Sequence, residues 1–192
     1  MNETNVGFAL CGSFCTFSKV IPIMRELVNQ GYSIYPIMSP MAYTTDTRFG
    51  KAQDFIKEIE DICKRNVIHT IYDAEPIGPK KLLDALLIEP CTGNTLGKLA
   101  NGIYDTSVTL ATKAHLRNNR PVIVGVSTND GLSGSAPAIG KLMATKNYYF
   151  IPLQQDDPYH KPTSIVCDFS KTAQTLQAAL QGQQYQPMLQ GN

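Results

Sequence analysis

The sequence has 192 residues, 43% of them apolar, with 17 Lys+Arg against 16 Asp+Glu and a formal charge of +1, a balance that suits one compact domain rather than two thin ones. Near-neutral charge without a Lys/Arg-rich run excludes the electrostatic footprint of a nucleic-acid binder or a membrane-surface helix. No apolar stretch approaches the roughly 18–20 residues that cross a bilayer, and the opening MNETNV lacks the layout of an export signal, so a cytoplasmic protein is expected.

Apolar runs alternate with segments of helical spacing, the pattern of βαβ units around a mostly parallel sheet. The first strand is expected at 6–10, then a small-residue turn and a helix from about 18 in which Ile21, Met24, Leu27 and Val28 share a face and Gly31 closes the end. Pro22 falls either in its first turn or as a later kink. A second strand at 32–38 leads through a Thr-rich loop to a helix carrying Phe55, Ile59, Ile62 and Cys63 on one face. Residues 67–71 read as a short strand and 85–88 as a buried one, ended by Glu89-Pro90.

Helical spacing at Leu96, Leu99 and Ile103 follows, and Asp105 is a candidate cap for the next helix, which runs to about 118. Strands are expected at 121–127, 148–153 and 165–167, with a helix through Ile139, Leu142 and Met143 between the first two and a last helix over 170–180. The expected fold is therefore α/β: a single-domain, doubly wound, mostly parallel sheet of about six strands with helices on both faces, over residues 1–182. Residues 183–192 read as a Gln-rich tail. Charged residues at 17% fall below the roughly 25% of a typical soluble domain, which favours a homo-oligomer that hides part of its surface. Cys11, Cys15, Cys63, Cys91 and Cys167 form no CxxC pair, so each reads as a small buried hydrophobe.

Ligands of open α/β sheets sit beyond the carboxyl ends of strands, at helix-opening turns. After the first strand, Gly12 admits close approach to the backbone and Ser13 adds a hydroxyl, which suits a phosphate; the same turn also reads as an ordinary helix cap, and the GxGxxG dinucleotide pattern is absent. Ser39, at the end of the second strand, is placed to reach the same point, or is simply a turn residue. The run Thr92, Gly93, Asn94, Thr95 offers hydrogen-bonding groups at a helix start with no carboxylate, which fits a neutral-to-anionic ligand rather than a metal. The Gly/Ser-rich loop after Ser127-Thr128-Asn129 is either a mobile closure or exposed slack. His69, His115 and His160 form no metal-binding pair, and no metal site is expected.

The stretch PCTGNTLGKLANGIYD at 90–105 resembles the PxxANTxxKxAxGxxD signature of the flavin-containing cysteine decarboxylase superfamily, and the GS turn and Ser39 fit as well. The segments GSFCTF, STNDGLSGSAP and QQDDPYHKPTSIVCDF extend the likeness to flavoprotein subunits of a two-component oxidising enzyme within that superfamily. The resemblance implies a flavodoxin- or Rossmann-like domain that binds FMN at a subunit interface in trimers or dodecamers. It implies that Gly12, Ser13 and Ser39 hold the FMN phosphate and that Thr92, Gly93, Asn94 and Thr95 line the flavin's polar side. It further implies a small dicarboxylate substrate and a separate partner subunit with a pyridine-nucleotide domain. Asn129, Lys98 and Arg48 are the substrate-binding candidates. The decarboxylases carry a catalytic His 18 positions before the Asn of their ANT motif, where this chain has Pro76, and their PAMN loop reads Ser127-Thr128-Asn129 here without Pro-Ala-Met. Proline moves no proton, so oxidation is expected in place of decarboxylation. A prenyltransferase, a decarboxylase with an altered base and a non-catalytic scaffold are the alternatives.

Overall fold

A computed structural model describes residues 3–190. β1 (Asn5–Leu10) turns through a short 3-10 segment into α1 (Phe17–Asn29), followed by β2 (Ser33–Met38), α2 (Pro40–Thr44) and α3 (Ala52–Cys63). Next come α4 (Ile71–Ala74) with a 3-10 turn over Glu75–Ile77, β3 (Ala85–Cys91), α5 (Gly93–Ala100), α6 (Ser107–Leu116) and β4 (Val122–Thr128). The chain finishes with α7 (Ala136–Met143), β5 (Tyr148–Phe150), β6 (Leu153–Gln154), β7 (Ile165–Cys167) and α8 (Thr172–Leu180).

The seven strands form one sheet in the order β2-β1-β3-β4-β7-β6, with β5 also paired to β4. β1 to β5 pair in parallel; β7 runs antiparallel to both β4 and β6. Side chains alternate across the sheet. Val6, Phe8 and Leu10 of β1 face a core shared with α1, α3 and α8, while Ala9 with Leu86 and Ile88 of β3 faces one shared with α5, α6 and α7. Helices thus cover both faces, as the periodicity predicts. Val20, Ile21, Met24 and Leu27 of α1 are buried, and Gly31 (φ +91°) ends the turn after it. Pro22 is the sixth residue of α1, so it lies past the first turn.

Several expectations are corrected. Residues 67–71 are no strand: Ile68 makes a single bridge to Ile37, and Ile71 already opens α4. β3 does not stop at Glu89-Pro90 but continues to Cys91, with a register shift between Ile88 and Cys91 where proline has no N–H for the ladder. Thr106, not Asp105, caps α6, by a reciprocal pair with Thr109. Ile103 lies outside α5 and is exposed. The single strand expected at 148–153 is two short ones: β5 follows the lower half of β4, and after Pro152 the chain enters a different, antiparallel pairing as β6. The segment after α8 runs back along this edge. Gln184 brackets the Phe150 backbone, accepting from its N–H (2.8 Å) and donating to its carbonyl (2.7 Å), and Leu153 exchanges hydrogen bonds with Met188 and Gln190. Among the described residues, no helix is long and apolar enough to cross a membrane.

Candidate functional site

β1, β3 and β4 deliver their following turns to one rim, where Gly12 and Ser13, Thr92, and Ser127 to Asn129 line a cleft of about 530 Å3. A smaller hollow of about 330 Å3 between α1 and α8 contains none of these residues. The Oγ atoms of Ser13 and Ser127 lie 2.9 Å apart, tying β1's turn to β4 across the end of β3. Ser13 N–H already donates to Cys11 O (2.8 Å), and Thr16 Oγ1 donates to Ser13 O (2.7 Å), so this turn is rigid and presents its hydroxyl. A Cβ on Gly12 would meet nothing nearer than 3.6 Å, an ordinary contact with the Phe14 ring. Packing within the protein does not require glycine there.

Charged side chains come from both ends of the chain. Lys19, third residue of α1, lines the cleft, as do Asp156 and Lys161 from the β6–β7 loop, which pair at 3.2 Å. Burial pulls the Asp156 carboxyl upward, but hydrogen bonding from Ser164 and Lys161 outweighs it and holds the group below the usual range. Lys19 makes no ion pair among the described residues. Phe49 stands at the mouth, 47% exposed, with the Arg48 guanidinium 4.9 Å from its ring centroid.

The other predicted residues are distributed differently. Ser39 sits beside the end of β1, its N–H donating to Leu10 O, but its buried hydroxyl caps α2 by accepting from Ala42 N (3.3 Å). Asn94 is exposed in the first turn of α5, and Thr95 is buried with its hydroxyl on Cys11 Sγ (3.2 Å); neither lines the cleft. Lys98 is held by Asp105 at 2.7 and 2.9 Å, and Arg48 lies beside the cleft without lining it. Gly93 faces the β4–α7 loop: a Cβ there would sit 2.5 Å from Ser135 Oγ and 2.8 Å from Thr128 Oγ1.

That loop is pinned rather than slack. Asp130 Oδ1 accepts from Thr128 Oγ1 (2.5 Å) and Ser135 Oγ (2.8 Å), which keeps the carboxyl below its ordinary range. Thr163 Oγ1 donates to Asn129 O (2.7 Å) and Leu132 N to Thr163 O (2.9 Å). Beneath the cleft, burial pushes the Cys91 thiol well up, so it stays protonated next to Cys11. Four cysteines are buried as expected; Cys15 is exposed and lines the cleft. Lys19, Phe49, Asp156 and Lys161 were not predicted. The QQDDPYHKP segment was the available signal for the last two, but nothing local says that it folds back over strand ends more than a hundred residues earlier.

A doubly wound sheet with a cleft built from helix-opening turns at its rim defines an open α/β protein of the flavodoxin-like kind, and residues 1–149 match the family model described as Flavoprotein. The chain belongs to that family. Over 187 residues it is 46% identical to the B subunit of dipicolinate synthase from Bacillus subtilis (strain 168), covering 97% of this chain and 94% of that one. The crystal structure of the dipicolinate synthase B subunit from Bacillus halodurans C superposes with a TM-score of 0.90 at 45% identity, over the full length of both chains. SpaF, an FMN-dependent cysteine decarboxylase, shares the fold at 18% identity, with a TM-score of 0.70 over 94% of this chain and 97% of that one.

Proposed function

We propose that this chain is the FMN-binding B subunit of a dipicolinate synthase, acting with the dipicolinate synthase A subunit to oxidise a dihydrodipicolinate-type precursor to pyridine-2,6-dicarboxylate in the cytoplasm of a spore-forming bacterium. The near full-length likeness to the dipicolinate synthase B subunit carries this reading. The donor set fits the cofactor: Gly12 leaves room at the backbone, Ser13 and Ser127 offer hydroxyls, and Lys19 offers a countercharge, the combination a phosphate monoester takes up. Thr92, Thr128 and Asn129 offer neutral hydrogen-bonding groups further along the cleft, and Phe49 an exposed aromatic face at its mouth.

Bound there, FMN supplies a hydride acceptor. The chain's own part is to fix the anionic end with the Ser13 and Ser127 hydroxyls, to hold the wall still through Asp130, and to shield the reacting faces from water. Pro76, where the decarboxylases have histidine, lies in the 3-10 turn after α4 and holds no transferable proton. The low content of charge, with Tyr72 86% and Met41 60% exposed, supports a homo-oligomer. The purified chain is expected to bind FMN, with its visible bands perturbed and its fluorescence quenched, and to lose the flavin on Gly12→Val with Ser13→Leu. Anaerobic addition of the precursor together with the A subunit should bleach the oxidised flavin. A chain that ignores FMN, or a flavin that stays oxidised while the product forms, sinks the reading.

A further inference from the structure

We propose that Lys161 is a specificity-determining residue whose ammonium takes a carboxylate of a small dianionic substrate, exchanging its partner Asp156 for that carboxylate. The inference rests on the reading above, and it assigns a role to the QQDDPYHKP segment, which that reading leaves unused.

A dianion needs a cation in the cleft itself. Lys98 and Arg48 do not line the cleft, and Asn129 carries no charge. Lys19 is on α1, directly after the Ser13 turn that suits the phosphate. Lys161 lies on the β6–β7 loop with Asn129 and Val166 among the lining residues near it in the fold. Its present partner is held loosely: the Lys161 and Asp156 side chains are 55% and 32% exposed, and ion pairs that wet contribute little, so a ligand carboxylate competes on nearly equal terms. Asp156 also keeps the ammonium placed in the absence of ligand.

The loop is prepared for this by contacts independent of the ammonium. Lys161 N donates to Asp157 O (2.8 Å), Ser164 N to Lys161 O (3.0 Å), and Gln155 Nε2 to Pro162 O (2.9 Å). Removing the charge therefore leaves the loop's backbone bonds in place, and the side chain reaches the cleft from a fixed base.

The test uses the full chain loaded with FMN and pyridine-2,6-dicarboxylate as the probe, with binding followed by calorimetry and by perturbation of the flavin's visible spectrum. Lys161→Met should weaken the dianion by on the order of tenfold, Lys161→Arg should largely restore it, and Asp156→Asn should tighten it severalfold. Pyridine-2-carboxylate, with one charge, should bind the wild type more weakly and respond less to Lys161→Met. FMN affinity should be the same in all of these proteins. Dianion binding unchanged in Lys161→Met, or no binding to the FMN-loaded wild type, overturns the inference while the flavoprotein reading stands. Loss of FMN in Lys161→Met also overturns it, by placing this lysine at the cofactor's end. Failure of the wild type to take up FMN defeats the underlying reading instead.

Discussion

Glu89 is a carboxyl group at 0% exposure in the central strand β3, and its ionisation should be visible in the stability of the whole protein. Burial pushes its pKa up to about 8 from 4.5; the hydrogen bond that Oε1 accepts from Thr172 Oγ1 (2.7 Å) opposes this and is too weak to reverse it, while Oε2 has no partner. The folded protein keeps this proton where the unfolded chain has lost it, so stability is full below about 4.5 and falls as pH rises toward 8. Each pH unit in that window costs a factor of ten in the folding equilibrium, on the order of 5 kcal/mol across it. His115 runs the other way. Burial lowers its pKa to about 4 from 6.5, and although the hydrogen bond to Pro121 O opposes this, the folded state holds it neutral, so its contribution grows from about pH 4 to 6.5 and is then complete. The two slopes nearly cancel between 4.5 and 6.5, which predicts a plateau followed by a decline between about 6.5 and 8. Denaturant unfolding of the wild type and of Glu89→Gln across pH 5–8 measures this. The amide keeps an acceptor for Thr172, so the variant should match the wild type near pH 5 and exceed it by a few kcal/mol at pH 8. Parallel curves over pH 6.5–8 would refute the claim that the folded protein holds a neutral Glu89.

Gly93→Ala forces a Cβ to within 2.8 Å of both Ser135 Oγ and Thr128 Oγ1, so it should cost about 1–3 kcal/mol in chemical denaturation; a loss under about 0.5 kcal/mol would mean that the β4–α7 loop is not packed there as described. Gly12→Ala has no such clash and should leave the melting temperature nearly unchanged while weakening FMN in a fluorescence titration. Ser13→Ala removes the hydroxyl pair with Ser127 and should lower FMN affinity on the order of tenfold, also with little change in melting. Gln184→Ala removes both side-chain bonds to Phe150 and should destabilise by about 1–2 kcal/mol, with faster amide exchange at Phe150.

The parallel half of the sheet was legible because its strands are uninterrupted apolar runs and its helices keep one buried face, as in β1, β4 and α1. Elements whose residues contradict their environment were not. Glu89 and Pro90 read as the end of a strand because a carboxylate and a missing donor seldom occupy a central position, yet β3 carries both. β6, two residues long, is too short to show periodicity; β7 lies where a strand was expected, at 165–167, but the antiparallel pairing of both is a property of the assembled sheet. The site divides in the same way. Turns that open helices announce themselves locally, and Gly12, Ser13 and Thr92 do reach one cleft. Local sequence does not reveal that Ser39 spends its hydroxyl on a cap, that Asp105 claims Lys98, or that Lys161 arrives from the far end of the chain.

β4 is shared by two neighbours on one edge: Val122 to Val124 lie beside β5, and Ser127 and Thr128 beside β7. On this edge its tip is therefore held only by a strand that has left the parallel sheet, passed through β6 and returned antiparallel. Ser127 pairs with Val166 of that strand, and Asn129 O accepts from Thr163 just before it. A ligand seated at this rim would accordingly brace the junction between the parallel and antiparallel parts of the sheet.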